Sequence, residues 1–356
     1  MNITALFIHL LKCAVHQTTV EWQLFEGLAA KDWEQLYLQS KRQGVVAVLF
    51  EKVKDIPKSI APPRQLFFKW LAHLLSIEKQ MTEKSEAAID FAQKLAERDI
   101  ETAVLKGLAF AHYYPNPLHR ESGDLDCYLM GKKAEGDKVV VEIGGKMKEA
   151  GYKHSHLLYR GLTIENHQFI TSFDNSKLGI RTEQLLQSLI KEGYIPIGDT
   201  KLLNPCAEFN ALFLIKHAQR HFIKEGIRIR YLLDWALFLK AESANIDWQR
   251  VIQMMDECRI LNFAKILTQL CIDKLGMEIN IEQLKGSCAI SEAVFADIMG
   301  EQPDLFHENF IEKIGRIIRR FYRMWRFRSL ADESYLRLIW NTLAFNSYTK
   351  KRANYI

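Results

Sequence analysis

The feature that most constrains the fold of this chain is a pair of acids at the start of an apolar run. In the segment GDLDCYLM, residues 123–130, Asp124 and Asp126 are separated by a single residue. The segment reads as a short strand, and residues i and i+2 of a strand point to the same face. We therefore expect the two carboxylates to project side by side, where their like charges repel unless a cation compensates them.

Two interpretations of this acid pair follow from its residues. A divalent cation is the natural partner, because Mg²⁺ prefers oxygen ligands and commonly takes one or two carboxylates together with substrate phosphates. Positioning and charge neutralisation then drive phosphoryl or nucleotidyl transfer. The simpler interpretation is structural, with one acid solvated in a loop and the other capping the strand. The pair alone does not decide between them.

The residues before the acid pair favour a phosphate-binding role. The apolar segment ETAVLKG predicts a strand that ends in Lys106 and Gly107, and a helical segment follows. A glycine there allows backbone N–H groups to approach a phosphate at the helix N-terminus. Lys106 adds a positive charge, and Arg120 lies four residues before the first aspartate. The two cations could bind phosphate or could simply neutralise the acids.

A third acid follows on a later strand. KHSHLLY and LTIENHQFI, joined by Arg-Gly, predict a hairpin whose second strand carries Glu165 and His167 on one face. Glu165 is either a third carboxylate of the site or an exposed acid paired with a lysine, and His167 could orient it. One sheet would thus gather three carboxylates, a histidine and two cations.

The periodicity along the chain predicts an α+β fold in three parts. Residues 1–98 have apolar residues at helical spacing, and residues 99–195 alternate short strands with helices, including a helix over KVVVEIGGKMKEAGY. Residues 196–356 are helical again, with Asn204 as a candidate N-cap. The prediction is a small mixed sheet with helices, flanked by N-terminal and C-terminal helical regions.

Composition excludes several classes of protein. The length of 356 residues fits two or three domains, and no apolar run approaches the roughly 20 residues that span a bilayer. The N-terminal segment lacks a basic region and a cleavage site, so we interpret it as a first helix and expect a cytoplasmic protein. The six cysteines form no CxxC pair and are expected to be reduced.

The positive charge is concentrated near the C-terminus. The net charge is +5, whereas residues 311–328 carry Lys313 and six arginines against Glu312. Arg316, Arg319, Arg320, Arg323 and Arg326 would share one face of a helix. This basic helix, 313–328, could bind RNA or an anionic membrane surface. Alternatively, its apolar side lies in the core, with the arginines in water or facing the site.

Two pairs of histidines and one acid–base pair have no assigned role. His217 and His221, in HAQRH, share a helix face at a spacing that can bind a metal, yet no third ligand is evident. They could instead pack the helices onto the sheet or contact nucleotide. His154 and His156, in HSH, have no evident partner either. Asp234 is expected to form a helix-face ion pair with Arg230.

Taken in order, these motifs resemble a known family. LKG, YPNPLHR, GDLDCYLM and IENH, followed by HAQRH and RIRYLLDWALFL, resemble the nucleotidyltransferase family 5 group, which consists of uncharacterised members of the DNA polymerase β-like superfamily. The resemblance implies that Asp124, Asp126 and Glu165 are catalytic carboxylates and Mg²⁺ ligands. It further implies that Lys106, Gly107, Arg120 and His167 contribute to binding the triphosphate or to bracing the acids.

Two functions follow from this resemblance. The first is Mg²⁺-dependent transfer of a nucleoside monophosphate from an NTP, with ATP the default, to an unidentified acceptor. The second is a non-catalytic module that binds nucleotide, RNA or a protein partner on the same scaffold. The second is favoured by Leu108, which stands where the superfamily usually has serine or glycine after the first glycine.

Overall fold

The N-terminal region is built from helices, as predicted. The computed structural model describes residues 2–171, 177–300, 310–337 and 339–340. Its first helices are α1 (Ile3–His16), α2 (Ala30–Gln43), α3 (Val46–Val53) and α4 (Arg64–Ala96). Helix α4 is 33 residues long, and its buried side chains recur at helical spacing. Over the described ranges, no helix combines the length and apolarity needed to cross a membrane.

The described residues contain one seven-stranded mixed sheet, which confirms the α+β prediction. Its strands are β1 (Thr102–Val104), β2 (Asp124–Tyr128), β3 (Lys146–Ala150), β4 (His154–Tyr159), β5 (Leu162–His167), β6 (Tyr194–Pro196) and β7 (Leu202–Pro205). Their spatial order is β3-β4-β5-β2-β1-β7-β6. The β2–β5 and β1–β7 pairs are parallel, and the other neighbours are antiparallel.

The β4–β5 hairpin is formed as predicted. Its turn residues Arg160 and Gly161 both have positive φ, 46° and 81°, as a two-residue turn that matches the strand twist requires. The turn sets the register, in which Tyr159 pairs with Leu162 and His156 pairs with Glu165.

In the part of the chain that the structure describes, three α-helices connect the strands of the sheet: α5 (Leu108–Ala111), α6 (Lys133–Glu142) and α7 (Lys177–Glu192). The prediction of one helix over residues 138–152 is wrong in its second half, because α6 ends at Glu142 and β3 follows. Gly144, at φ +88°, adopts a backbone conformation outside the helical region. The glycines therefore end the helix and begin the edge strand.

The C-terminal region is helical beyond β7. Its helices are α8 (Ala207–Lys224), α9 (Ile229–Glu242), α10 (Trp248–Glu257), α11 (Leu261–Leu275), α12 (Cys288–Met299) and α13 (Phe310–Arg326). Asn204 is not the N-cap of a helix, because it lies in β7 and accepts a hydrogen bond from Asn210 at 3.0 Å. Parallel pairing of β7 with β1 keeps this segment extended.

The two faces of the central strands have different roles. Leu125, Cys127 and Ile164 are almost fully buried on one face, where they join the hydrophobic core. Asn166, on the same face, donates a 2.7 Å hydrogen bond to Asp137 of α6. The opposite face carries the acids of the candidate site. The sheet therefore uses one face for the core and carries Asp124, Asp126, Glu165 and His167 on the other.

Helix α13 meets the core only in part. Met324 is fully buried, and Arg323 pairs with Asp297 of α12 at 3.0 Å. Ile317, Ile318 and Trp325 are more than half exposed, so the expectation that the apolar side lies in the core holds for Met324 and not for these three. Binding of RNA or a membrane surface by the basic helix stays a prediction.

Candidate active site

The parallel pairing of β2 with β5 brings the three predicted carboxylates together. Asp126 lies directly opposite Glu165, and Asp124 projects from the same face of β2. One oxygen from each of the three carboxylates can be chosen so that all lie within 4.8 Å of one another. Asp126 is buried, whereas Asp124 and Glu165 are partly exposed. The donor set consists of oxygen atoms alone, which is the set that Mg²⁺ prefers.

Lys106 is the cation closest to the acid pair. Its Nζ lies 2.9 Å from Asp126 Oδ2 and 4.0 Å from Asp124 Oδ1. Burial alone would lower the pKa of Lys106, but the charges of Asp126 and Asp124 outweigh burial and raise it. The lysine therefore stays protonated and neutralises part of the charge of the carboxylates, whereas phosphate binding by Lys106 stays a prediction.

His167 bridges two of the acids. Its Nε2 lies 3.1 Å from Asp126 Oδ1 and 3.5 Å from Glu165 Oε2. Its Nδ1 lies 3.1 Å from the carbonyl oxygen of Phe169, which can only accept a hydrogen bond, so Nδ1 carries a proton. Burial alone would lower the pKa of His167, but its contacts with Asp126 and Glu165 outweigh burial and raise it.

The two aspartates have opposite electrostatic environments. Burial, followed by the charge of Asp126, raises the pKa of Asp124. Burial would also raise the pKa of Asp126, but Lys106 and His167 outweigh it and hold the pKa well below its usual range. Asp126 is thus ionised and held in contact with Lys106 and His167, whereas the charge of Asp124 is less well compensated. A divalent cation would relieve the repulsion between them.

Gly107 forms a tight turn against the loop that precedes β2. Its φ is +69°, and an added Cβ would lie 2.7 Å from the Ser122 hydroxyl oxygen. Ser122 itself donates a 3.0 Å hydrogen bond to the backbone oxygen of Asp124. Sequence reasoning missed this serine, because it looked for a hydroxyl next to Gly107 in the chain. The hydroxyl comes instead from a loop that the fold places beside the turn.

Arg120 is tied to a helix rather than to the acids. Its guanidinium donates to Asp234 of α9 through two hydrogen bonds of 3.0 and 2.8 Å, and both side chains are buried. The Tyr114 hydroxyl donates to the same carboxylate at 2.7 Å. The expected Arg230–Asp234 pair is therefore wrong, because Arg230 donates to the backbone oxygen of Glu121 at 2.6 Å. Arg120 therefore ties the loop before β2 to α9.

A cavity lies beside the acids and the glycine turn. It is bounded by the sheet and by α8 and α9, and its lining includes Lys106, Gly107, Arg120, Ser122, Asp124, His217 and Tyr231. The rings of His217 and Tyr231 stack with a centroid separation of 5.8 Å. Burial, followed by the neighbouring His221, lowers the pKa of His217 well below its usual value. A pair of stacked aromatic rings, with His217 neutral, thus lines the same cavity as the Gly107 turn.

The HSH pair lies at the same centre, which sequence reasoning also missed. His156 Nδ1 is 3.7 Å from Glu165 Oε1, and His154 Nδ1 is 3.9 Å from Glu165 Oε2. Burial, acting against the charge of Glu165, lowers the pKa of His154 to about 4. The signal was available in the sequence, because counting back through a two-residue turn pairs His156 with Glu165 and His154 with His167.

Comparisons with known proteins give one match. A family model described as an uncharacterised nucleotidyltransferase matches residues 29–276, a range that contains the whole sheet and all of the candidate site residues. No curated protein and no solved structure matches the chain.

Proposed function

Because the chain belongs to this family of uncharacterised nucleotidyltransferases, we propose that it transfers a nucleoside monophosphate from an NTP to an acceptor group. The observation that carries the proposal is the group of three carboxylates on one sheet face, next to a glycine turn and a lysine. ATP is the proposed donor. The proposed acceptor is a hydroxyl or phosphate group.

Asp124, Asp126 and Glu165 would hold Mg²⁺ in this proposal. Bound Mg²⁺ would neutralise phosphate charge and favour departure of pyrophosphate. Asp126 is suited to the role because it stays ionised in contact with Lys106 and His167. Glu165, more exposed than Asp126, can accept the proton of an acceptor hydroxyl while His167 holds its orientation.

The phosphate groups would be bound on the Lys106 side of the site. The positive φ of Gly107 would let backbone N–H groups approach a phosphate there, and Ser122 lines the same cavity with its hydroxyl donated to the Asp124 backbone oxygen. Arg120 would position the loop before β2 and would not bind phosphate directly, because its guanidinium donates to Asp234. The helical regions 1–98 and 196–356 would flank the core at 99–195 and shape the acceptor pocket.

The proposal is tested by thermal unfolding with each NTP, in the presence and absence of Mg²⁺. We expect a stabilisation that requires both nucleotide and Mg²⁺, and that is lost in Asp126→Asn. The control is Asp199→Asn, the same change at an exposed aspartate outside the site. Nucleotide transfer is then followed as pyrophosphate release with candidate acceptors. Equal stabilisation of wild type and Asp126→Asn would refute the role of the carboxylates.

The non-catalytic module is the second candidate function. The observation that favours it is Leu108, which leaves the first helical position after Gly107 without a hydroxyl. Salt-sensitive RNA binding that survives loss of both aspartates would support this module. RNA binding that is absent, together with Mg²⁺-dependent NTP binding, would support the enzyme.

A further inference from the structure

Beside the three carboxylates lies a second cluster of ligand atoms, which contains nitrogen. His154, Glu165 and His167 each offer one atom, and these three atoms lie within 4.8 Å of one another. Glu165 belongs to both clusters. The cluster joins two histidines from different strands, because the hairpin register places His154 opposite His167.

In both His154 and His167, one ring nitrogen forms a hydrogen bond outside the cluster and the other lies within 4 Å of Glu165. The Phe169 carbonyl accepts the proton of His167 Nδ1, whereas Nε2 lies 3.1 Å from Asp126 Oδ1 and 3.5 Å from Glu165 Oε2. A metal ion at this position would replace the proton that Nε2 shares with these two carboxylates. His154 Nε2 lies 3.0 Å from His156 Nε2, and its Nδ1 faces Glu165 Oε2 at 3.9 Å. Histidines that bind metals almost always use their second nitrogen in this way, which fixes the tautomer and the ring orientation.

The His154 nitrogen that faces Glu165 lacks a partner. Among the described residues, Nδ1 of His154 is a buried polar atom without a hydrogen bond. The 3.9 Å separation from Glu165 is too long for a hydrogen bond. It is close to the spacing of two ligands of one metal ion, because bonds of about 2.0–2.1 Å in a tetrahedron place ligand atoms about 3.4 Å apart.

We propose that His154, His167 and Glu165 form a second metal position, which takes a divalent transition metal ion such as Zn²⁺ or Mn²⁺ instead of Mg²⁺. Imidazole ligands favour transition metals, whereas Mg²⁺ selects oxygen ligands. Glu165 would bridge this position and the carboxylate position of Asp124 and Asp126. His156 acts as a positioning residue that holds the His154 ring. The nitrogen position stands on its own geometry and does not require nucleotidyl transfer.

The test uses the full chain without nucleotide and follows Co²⁺ binding by visible absorption, with Zn²⁺ as competitor. We expect His154→Gln to weaken Co²⁺ binding by more than about tenfold, as loss of a ligand should. The matched control is His221→Gln, because His217 and His221 form a second ring pair with a similar centroid separation, 4.5 Å against 4.6 Å. Unchanged Co²⁺ affinity in His154→Gln would overturn the proposal.

Two variants should distinguish the two metal positions, because their effects on NTP stabilisation and on Co²⁺ binding should be opposite. Asp124→Asn should lose Mg²⁺-dependent NTP stabilisation and keep Co²⁺ binding, whereas His154→Gln should do the reverse. Failure of the proposed function would thus leave the Co²⁺ result intact. Pulsed EPR of Mn²⁺ bound to the wild type gives a further test that needs no variant. Nitrogen hyperfine coupling supports direct imidazole ligation, and its absence overturns the proposal.

Discussion

The buried ion pair between Arg120 and Asp234 gives the sharpest prediction for stability. Asp234→Asn keeps the shape of the side chain and an oxygen that can accept from Tyr114, but removes the negative charge. The Arg120 guanidinium, 7% exposed in its side chain, would then be a buried cation without its counter-ion. Removing one partner of a buried pair costs about 3–5 kcal/mol of the free energy of unfolding, because the remaining charge stays desolvated.

An exposed ion pair with the same N···O distance serves as the control, so that a difference in stability reports burial. Arg181 and Glu257 have the same closest N···O distance, 2.8 Å, but their side chains are 64% and 31% exposed. Glu257→Gln should therefore cost less than about 1 kcal/mol, as exposed ion pairs do. The free energy of unfolding of both variants is measured by urea unfolding, followed by circular dichroism. The m-value, the dependence of this free energy on urea concentration, should be the same for the variants and the wild type.

The double variant Arg120→Met/Asp234→Leu completes the comparison. Replacing both charges with apolar groups removes the uncompensated cation, so the double variant should be more stable than Asp234→Asn alone. The reasoning is refuted if Asp234→Asn costs no more than Glu257→Gln. It is also refuted if the loss of unfolding free energy in the double variant equals the sum of the losses in Arg120→Met and Asp234→Leu.

Two further predictions concern the turn and the histidine wall. Gly107→Ala forces a positive φ on alanine and places Cβ 2.7 Å from the Ser122 hydroxyl, so it should lower the free energy of unfolding by about 1–2 kcal/mol and weaken NTP binding. The control Gly123→Ala, with no atom within 4 Å of the added Cβ, should keep NTP binding. Calorimetric titration with NTP compares the two variants. His217 has a folded-state pKa below the unfolded value of 6.5, so the unfolded chain binds the extra proton and stability falls as pH drops below 6.5. His217→Gln should lose less stability than wild type between about pH 7 and 5, as measured by denaturant unfolding at each pH; parallel curves would contradict the assignment.

Local sequence patterns predicted those parts of the fold whose contacts join residues that are close in the sequence. The amphipathic repeat of α4, the hairpin turn at Arg160–Gly161 and the alternation of Asp124 and Asp126 each depend on neighbouring residues alone. The pairing of β7 with β1 depends on residues about one hundred positions apart, which a periodicity cannot show. The misplaced N-cap at Asn204 is a consequence of that missing contact.

The candidate site divides in the same way. The acids and His167 were found because each strand repeats every two residues, so the face of each side chain follows from its position. The commitment of Arg120 to Asp234 was not found, since the two residues are 114 positions apart and Arg230 offered a nearer partner. Ser122 was missed for a related reason, because its relation to Gly107 exists only after the loop has closed.

The two-residue turn between β4 and β5 also determines how this protein could change over generations. Inserting one codon into the turn would leave the identity of every residue of the two proposed metal positions unchanged. If the turn kept two residues, the insertion would shift the register by one residue and exchange the two faces of β4, because a slip of one residue turns each side chain to the other side of the sheet. Ser155 and Leu157 would then stand beside Glu165 in place of His154 and His156. The nitrogen atoms of the proposed second metal position therefore depend on the length of this hairpin.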